Sequence, residues 1–472
     1  MKEKAVETNI PATNDQAVVI GGSMAGLFAA RVLSGRFGRV TIVERDAFPE
    51  GPQFRKGVPQ SRHQHIFLPR GREIAERFFP GIEEELIFSG AEPMDMAEDG
   101  NWLTPAGPAP RFRSGVILIG CTRVLIEWIV RERVASLSNV RFRQRTDVTQ
   151  LLPGSRQRVA GIKLCSRDRS RAGSGELLYA DLVVDASGRG SKAPRWLREL
   201  GYTPPRETAI NAHPGYATRL FERSADPGRD WKFVLVQTAP PEHNRGGVLS
   251  PVEGGLWMCS LIGLGGDHPP TDEEGFLRFA RSLREPTLYE TIKRAEAVSA
   301  IHGYREVENK RCHYENLSRQ PDNLFIIGDA ACAFNPVYGQ GMTTAALGAE
   351  VLERCLRERN VAGGDFAGLS RRFQRKLAKV NAAPWLLATG EDLRVHGAEG
   401  GKAGLSTRLT HRYMDRVLAL SLRDLRVRRT FLEVFGMLRP PTALFGPAVA
   451  AKVLREELAV NGSAGGKRSQ NN

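Results

Sequence analysis

Ala17-Val-Val-Ile-Gly-Gly-Ser-Met-Ala-Gly26, followed by Val40-Thr-Ile-Val-Glu44-Arg45, decides how this chain is read. Residues 17–20 are a short apolar run, the pattern of a parallel strand buried on both faces. Gly21, Gly22 and Gly26 then make a turn. A glycine at 21 permits the tight bend, and one at 26 lets the next helix lie close against the strand. Residues 27–33 continue as that helix. Its unpaired N–H groups and the positive end of its dipole suit a pyrophosphate. Glu44 ends the next strand, twenty-three positions after Gly21, where an acid takes the ribose hydroxyls of an adenosine. Ser23 stands where the middle glycine of the fingerprint is usual. Serine is small, so a pyrophosphate can still approach closely. The residues expected to hold a dinucleotide are Gly21, Ser23, Met24, Ala25, Gly26, Glu44 and Arg45.

Far downstream lie Asn323-Leu-Phe-Ile-Ile-Gly-Asp329 and Pro336-Val-Tyr-Gly-Gln-Gly-Met342. Residues 324–327 read as a strand, with Asp329 at its carboxyl end, where ligands bind in such sheets. Gly339-Gln-Gly341 leads into a helix over 342–359. Its N-terminus would point at a flavin ring and stabilise the negative charge of the reduced form. The two segments together indicate FAD.

Glu44-Arg45, Gly328-Asp329 and Gly341-Met342 resemble the FAD-dependent monooxygenases of the aromatic hydroxylase and squalene epoxidase type. The resemblance implies that Asp329 binds the ribityl chain and that Gly341 and Met342 contact the flavin. It implies that Arg123, in Cys121-Thr-Arg123-Val-Leu, reaches the cofactor, and that Arg55 and Val148 add two further contacts. A closer resemblance is to actinobacterial epoxidases that oxidise polyenes on the way to polyether antibiotics. It is carried by Phe54-Arg-Lys-Gly-Val-Pro-Gln60, Arg62-His63, His65, Asp185-Ala-Ser-Gly-Arg-Gly-Ser191, Tyr216-Ala-Thr-Arg-Leu-Phe221 and Phe334-Asn-Pro-Val-Tyr-Gly339, and runs from about residue 15 to about residue 395.

The activity this implies is insertion of one oxygen atom of O2 through a flavin C4a-hydroperoxide. The expected reaction is epoxidation of an alkene in a polyketide or terpenoid-type secondary metabolite. Hydroxylation of an aromatic secondary metabolite is the alternative, followed by a flavin-dependent reductase or halogenase of the same fold. The Trp-x-Trp-x-Ile-Pro signature of the halogenases is absent. The cofactor carries the hard chemistry, so no catalytic side chain beyond the flavin is required. Phe334, Pro336, Tyr338 and Gly339 are the pocket candidates beside it. His63 and His65 read first as structural or backbone-bonding groups rather than as acid–base catalysts.

The fold class expected is α/β: a three-layer, Rossmann-like FAD-binding domain interleaved with a mostly antiparallel-sheet substrate domain, plus C-terminal helices. The FAD-binding domain takes residues 15–75, 115–195 and 300–365. The substrate sheet takes 76–114 and 196–299. Residues 366–460 are helical, with Pro440-Pro441 breaking one helix. Residues 1–14 and 461–472 are expected to be disordered.

The 472 residues carry a net charge of +14. The arginines are dispersed and no nucleic-acid motif accompanies them, so no nucleic-acid partner is expected. Residues 402–429 hold eight Lys/Arg against two Asp. They read as a solvated helix face, or as a surface for an acidic carrier protein or an anionic lipid. The six cysteines are scattered without metal-type pairing, no metal is expected, and no apolar run is long enough to span a membrane. A cytoplasmic location is expected. The partners expected are an apolar small molecule and O2. Only one dinucleotide fingerprint exists. Ser187-Gly188 replaces the Asp-Gly pair usual in single-component hydroxylases, with the acid displaced to Asp185, and Thr343 stands where asparagine is frequent. Reducing equivalents therefore come from NAD(P)H directly or through a separate flavin reductase.

Overall fold

The structure, a computed structural model, describes residues 15–155, 157–168, 175–224, 226, 228–305, 307–361 and 366–455. The expected disorder of 1–14 and 461–472 concerns residues outside that set.

Strand Gln16–Ile20 is the centre of a five-stranded parallel sheet. Leu182–Asp185 lies on one side of it and Arg39–Val43 on the other. Leu324–Ile326 and Val140–Arg143 form the two edges. Val18, Val19, Val40, Ile42, Val183 and Val184 are buried to within a few per cent, as strands covered on both faces require. Helices Met24–Ser34 and Gly341–Val361 pack together on one face of this sheet. A small antiparallel sheet of Thr146–Pro153, Val159–Ser166 and Gly175–Tyr179 adjoins it. The expected parallel sheet, antiparallel sheets and C-terminal helices are all present.

The second large sheet has seven strands, in the order His302–Tyr304, Gly215–Glu222, Leu256–Gly263, Arg245–Val252, Phe233–Val236, Gly100–Thr104 and Gly107–Pro108. All its pairings are antiparallel except Phe233–Val236 with Gly100–Thr104. His302–Tyr304 falls within the 300–365 segment expected in the dinucleotide unit, but it pairs with Gly215–Glu222 instead. Side chains alternate across a strand. Ala217, Phe221, Trp257, Cys259, Leu261 and Leu249 therefore share a core with helices Glu273–Arg281 and Thr287–Ile292. Phe276 and Phe279 anchor the first of these helices, each worth roughly 1.5–3 kcal/mol of burial. Asp272 caps it by accepting from the Gly275 N–H at 2.8 Å. The alternate positions, among them Tyr216, Thr218, Ser250 and Ser260, face the opposite way, toward the segment around His63.

After the long helix Leu369–Asp392 come Leu405–Ser421 and Leu425–Phe435. The last of these three ends before Pro440, as expected, residues 447–455 are again helical, and Leu432 packs with Trp102 and Phe233 of the large sheet. Among the described residues, no helix is long and apolar enough to cross a membrane.

Candidate functional site

The glycine turn is as tight as its sequence requires. Gly21 has φ +99°, and a Cβ there would meet the Ala186 carbonyl oxygen at 2.6 Å. A Cβ on Gly26 would lie 1.8 Å from the Gly21 carbonyl oxygen. The Glu44 carboxylate fastens this turn from the neighbouring strand. Its Oε2 accepts from the Gly22 N–H at 2.8 Å and its Oε1 from the Asp46 N–H at 3.0 Å. Oε2 also faces Arg55 Nη1 at 3.3 Å, so Oε1 is the oxygen that keeps a further lone pair for a hydroxyl donor. Arg45, the next residue, is exposed, and Met24 is buried under the turn. Thr146 donates its N–H to the Glu44 carbonyl at 3.0 Å, and Val148, two residues on, is buried in the core of this unit. Ala25 touches the downstream motif directly: a Cβ on Gly328, at φ +62°, would come 2.7 Å from the Ala25 Cβ.

Ser23, the departure from glycine, has work of its own. Its hydroxyl donates to Glu127 Oε2 at 2.7 Å and accepts from Arg123 Nη2 at 2.6 Å. Arg123 Nη2 also donates to Glu127 Oε2 at 3.0 Å. The other carboxylate oxygen of Glu127 accepts from Arg55 Nε and Nη2 at 3.1 and 2.9 Å. Arg55 also pairs with Asp46 at 3.2 Å and Glu44 at 3.3 Å. Burial opposes the Arg55 charge, but Glu127, Glu44 and Asp46 outweigh it and hold its pKa above the ordinary value. Burial likewise opposes the Glu127 charge, and Arg123 and Arg55 reverse the sign, so its carboxyl stays ionised. Arg55 and Arg123, both expected at the cofactor, thus meet through a carboxylate the motifs do not contain. Its only sequence signal is spacing: Arg123 and Glu127 are one helical turn apart on Arg123–Ala135.

Asp329 sits in a single turn, Gly328–Ala330, at the end of its strand. Its side chain is 35 % exposed and lies 3.9 Å from Arg189. Arg189 also donates to the carbonyls of Glu308 and Phe334. Asp185, by contrast, is wholly buried. Burial raises its pKa, against hydrogen bonds from the Ser187 hydroxyl and N–H and the Ser191 hydroxyl. It braces a turn and reaches no open surface. The helix Gly341–Val361 starts in open space, since a Cβ on Gly341 would meet nothing within 4 Å.

These residues fit an FAD. The cradle at Gly21–Gly26 admits no added carbon, the ground before Gly341 is empty of protein, and buried Arg123 Nε and Thr343 Oγ1 have no hydrogen-bond partner.

The large sheet covers this ground. His63 Nδ1 lies 2.9 Å from Thr218 Oγ1, which is 2.6 Å from Ser260 Oγ. The Gln64 N–H donates to Ser260 at 3.1 Å and the Ser250 hydroxyl donates to Gln64 Oε1 at 2.9 Å. Burial, with His302 and Arg62 nearby, lowers the His63 pKa to about 4. Burial and the Arg123 charge lower that of His65 to about 3. Both rings are neutral near pH 7. His65 Nδ1 bonds the His63 carbonyl at 2.9 Å, the backbone-bonding role expected for it. The hydroxyls of Thr218, Ser250 and Ser260 are thus consumed by segment 63–65.

Phe334 is buried, while Pro336, Tyr338 and Gly339 are partly open. Tyr338 does more than wall a pocket: its hydroxyl donates to Asp392 Oδ1 at 2.6 Å. Asp392 also accepts from Asn335 Nδ2 at 3.0 Å and Asn309 Nδ2 at 2.6 Å. Asn335 Oδ1 in turn accepts from the Tyr216 hydroxyl at 2.8 Å. The last residue of a C-terminal helix thereby fixes the 335–338 turn to the sheet above it. No sequence signal marks Asp392.

Burial raises the Asp392 pKa from 3.8 to about 6, against hydrogen bonds from Tyr338, Asn335 and Asn309. The folded state therefore holds this proton to higher pH than the unfolded chain. The Asp392 contribution to stability is greatest below pH 4 and declines as pH rises through about 6, by about 3 kcal/mol in all. Urea unfolding at pH 4.5 and pH 7 is expected to show wild type losing ground to Asp392→Asn as pH rises; a constant difference contradicts it.

No family model matches the chain. Protein Rv3254 of Mycobacterium tuberculosis is 32 % identical over 452 residues, covering 92 % of this chain and 93 % of that protein. The chain belongs to the family of Protein Rv3254. Solved structures share this chain's fold. p-Nitrophenol 4-monooxygenase PnpA from Pseudomonas putida matches with TM-score 0.63 and 18 % identity, over 90 % of this chain and 99 % of that one. The flavin-dependent brominase Bmp2 matches with TM-score 0.65 and 13 % identity, over 96 % of this chain and all of the other. At these identities the likeness establishes the fold, which this chain shares with solved flavin-dependent monooxygenases and halogenases.

Proposed function

We propose that the chain is an FAD-dependent monooxygenase that inserts one oxygen atom of O2 into an alkene of a polyketide or terpenoid-type metabolite, giving an epoxide. The observation that carries this reading is the contact of Gly328 with Ala25. It joins the dinucleotide turn to the Asp329–Gly341 segment under the covering sheet. In this assignment the Gly21–Gly26 turn and the N-terminus of Met24–Ser34 hold the pyrophosphate. Glu44, with Arg45 and Val148, holds the adenosine. Asp329 holds the ribityl chain, Gly341 and Met342 meet the flavin, and the free Nε of Arg123 reaches it. Arg55 acts through Glu127 and Glu44. Bound FAD supplies the activation of O2. The protein's share is to orient the substrate and to exclude water with the sheet and the 334–339 segment. With the hydroxyls of Thr218, Ser250 and Ser260 already paired, the partly open side chains on that side of the sheet include the apolar Leu235 and Ile262 beside His302 and Tyr304, which supports a largely apolar substrate.

Asp329→Ala is expected to purify largely colourless, having lost a charge-assisted hydrogen bond worth roughly 1.5–3 kcal/mol. Full flavin occupancy in that variant contradicts the assignment. The activity is tested by incubating reduced holoprotein with candidate alkenes under 18O2, with and without chloride or bromide. One labelled oxygen in an epoxide, independent of halide, is the expected product. A labelled phenol would instead indicate the hydroxylase, and a halide requirement the halogenase. Reducing equivalents come from NAD(P)H directly or through a separate flavin reductase. Rapid anaerobic bleaching by NADH or NADPH alone, with substrate present, rules out the separate reductase, and no bleaching with either nucleotide supports it.

A further inference from the structure

The basic segment 402–429 is not uniformly a solvated face. Arg428, on helix Leu425–Phe435, is fully buried. Its Nε, Nη1 and Nη2 have no hydrogen-bond partner among the described residues. Its guanidinium lies 4.4 Å from the Trp102 ring centroid and 5.5 Å from that of Phe431. Burial lowers its pKa only to about 10, so it is a cation at neutral pH. A desolvated guanidinium with every donor unused is costly, and two aromatic faces replace only part of its hydration. Such a group fits a site completed by an anion.

Its place in the fold says which anion. Trp102 pairs across the large sheet with Leu235, and Leu235 with Val248. Val248 pairs with Ser260, and Ser260 with Thr218. Arg428 therefore stands at one end of the sheet face whose other end covers the 334–341 segment. From below, helix Leu425–Phe435 ends at Gly436, whose carbonyl accepts from the Arg70 N–H at 3.1 Å. At the next residue, a Cβ on Gly71 would meet Thr343 Oγ1 at 2.6 Å, at the start of the helix assigned to the flavin. Sheet and helices thus link Arg428 to that helix start across apolar ground that includes Ile66, Leu235 and Leu432.

We propose that Arg428 anchors a carboxylate on the substrate, so that the substrate is an apolar molecule carrying one acid group at the end remote from the oxidised carbon. A guanidinium fork pairs two donors with the two oxygens of a carboxylate. Trp102, Phe431 and Leu432 bring no second positive charge, which disfavours a phosphate dianion. The inference rests on the monooxygenase reading for the word substrate, but its test does not require turnover.

The FAD-loaded protein is titrated with sorbate, trans-cinnamate and all-trans-retinoate and with their methyl esters. Flavin absorbance and thermal unfolding are followed. At least one acid is expected to bind roughly tenfold or more tighter than its ester. Arg428→Gln should abolish that preference and leave ester binding unchanged, and Arg428→Lys should retain part of it. Without any ligand, Arg428→Met is expected to unfold at or above the wild-type temperature, because an unpaired buried charge has been removed. The proposal is overturned if no acid is preferred to its ester, or if the preference survives in Arg428→Gln. It is also overturned if Arg428→Met fails to fold or melts clearly lower, since the guanidinium would then serve the fold itself. A melting temperature that responds to chloride or bromide, with no acid–ester difference, would indicate a halide site and overturn it too. Acid binding without any oxidised product would keep this inference and sink the monooxygenase.

Discussion

Glu127→Ala is expected to unfold about 3–5 kcal/mol more easily than wild type and to retain little flavin. Glu127 joins Ser23, Arg123 and Arg55 through hydrogen bonds of 2.7 to 3.1 Å, with under a tenth of its surface exposed. Truncation leaves Arg123 with Ser23 alone and returns part of the Arg55 charge to an apolar setting. Removing one member of a buried network costs more than the network's net worth, because the remaining charges stay desolvated. Urea unfolding and the ratio of flavin to protein absorbance measure the two effects. A double-mutant cycle with Arg123→Met separates them from packing loss. A difference below about 1 kcal/mol would show that the network is solvated and of little consequence.

Gly26→Ala should be more damaging still. The added carbon would lie 1.8 Å from a backbone oxygen, so no side chain can rotate away and either the helix or the turn must move. Overpacking usually costs about 1–3 kcal/mol when side chains absorb it, and here the obstacle is main chain. Insoluble or flavin-free protein is expected. Gly341→Ala is the matched control, because its Cβ would meet no protein atom within 4 Å. It should fold at the wild-type temperature and bind flavin less well. If both variants behave alike, the distinction between a packing glycine and a cofactor-facing glycine fails. Absorbance spectra and melting curves of the two proteins decide it.

What could be read from the sequence was what local chemistry dictates. The strand, turn, helix and strand at 16–44 follow from apolar period and glycine placement within thirty residues. So does the Leu324–Ile326 strand with its helix. Glu127 was within reach, one turn after Arg123, yet nothing in a helix-spaced Arg–Glu pair says that it faces inward. His302–Tyr304 joins the large sheet through long-range pairing with 216–218, which no short motif records. Asp392 gains its role from Asn309, Asn335 and Tyr338, brought together only by tertiary packing. Arg428 is the sharpest case. Seven other basic residues surround it in sequence, and charge alone places it on a solvated face. The helix turns it onto Trp102 instead, because Val427, Leu432 and Val434 fix which side of that helix is buried.

The order of strands in the parallel sheet also bears on synthesis. Gln16–Ile20, at the centre, leaves the ribosome first, but the outer side of Leu182–Asp185 finds its neighbour only when residue 324 has been made. Until then the nascent chain carries an unsealed, apolar strand border. Domains ordinarily fold in order of emergence, and distant pairings come late and slowly. Ribosome-bound chains ending before residue 324 are therefore expected to depend on chaperones and to take up no flavin, and competence should arrive abruptly near the end of translation rather than domain by domain.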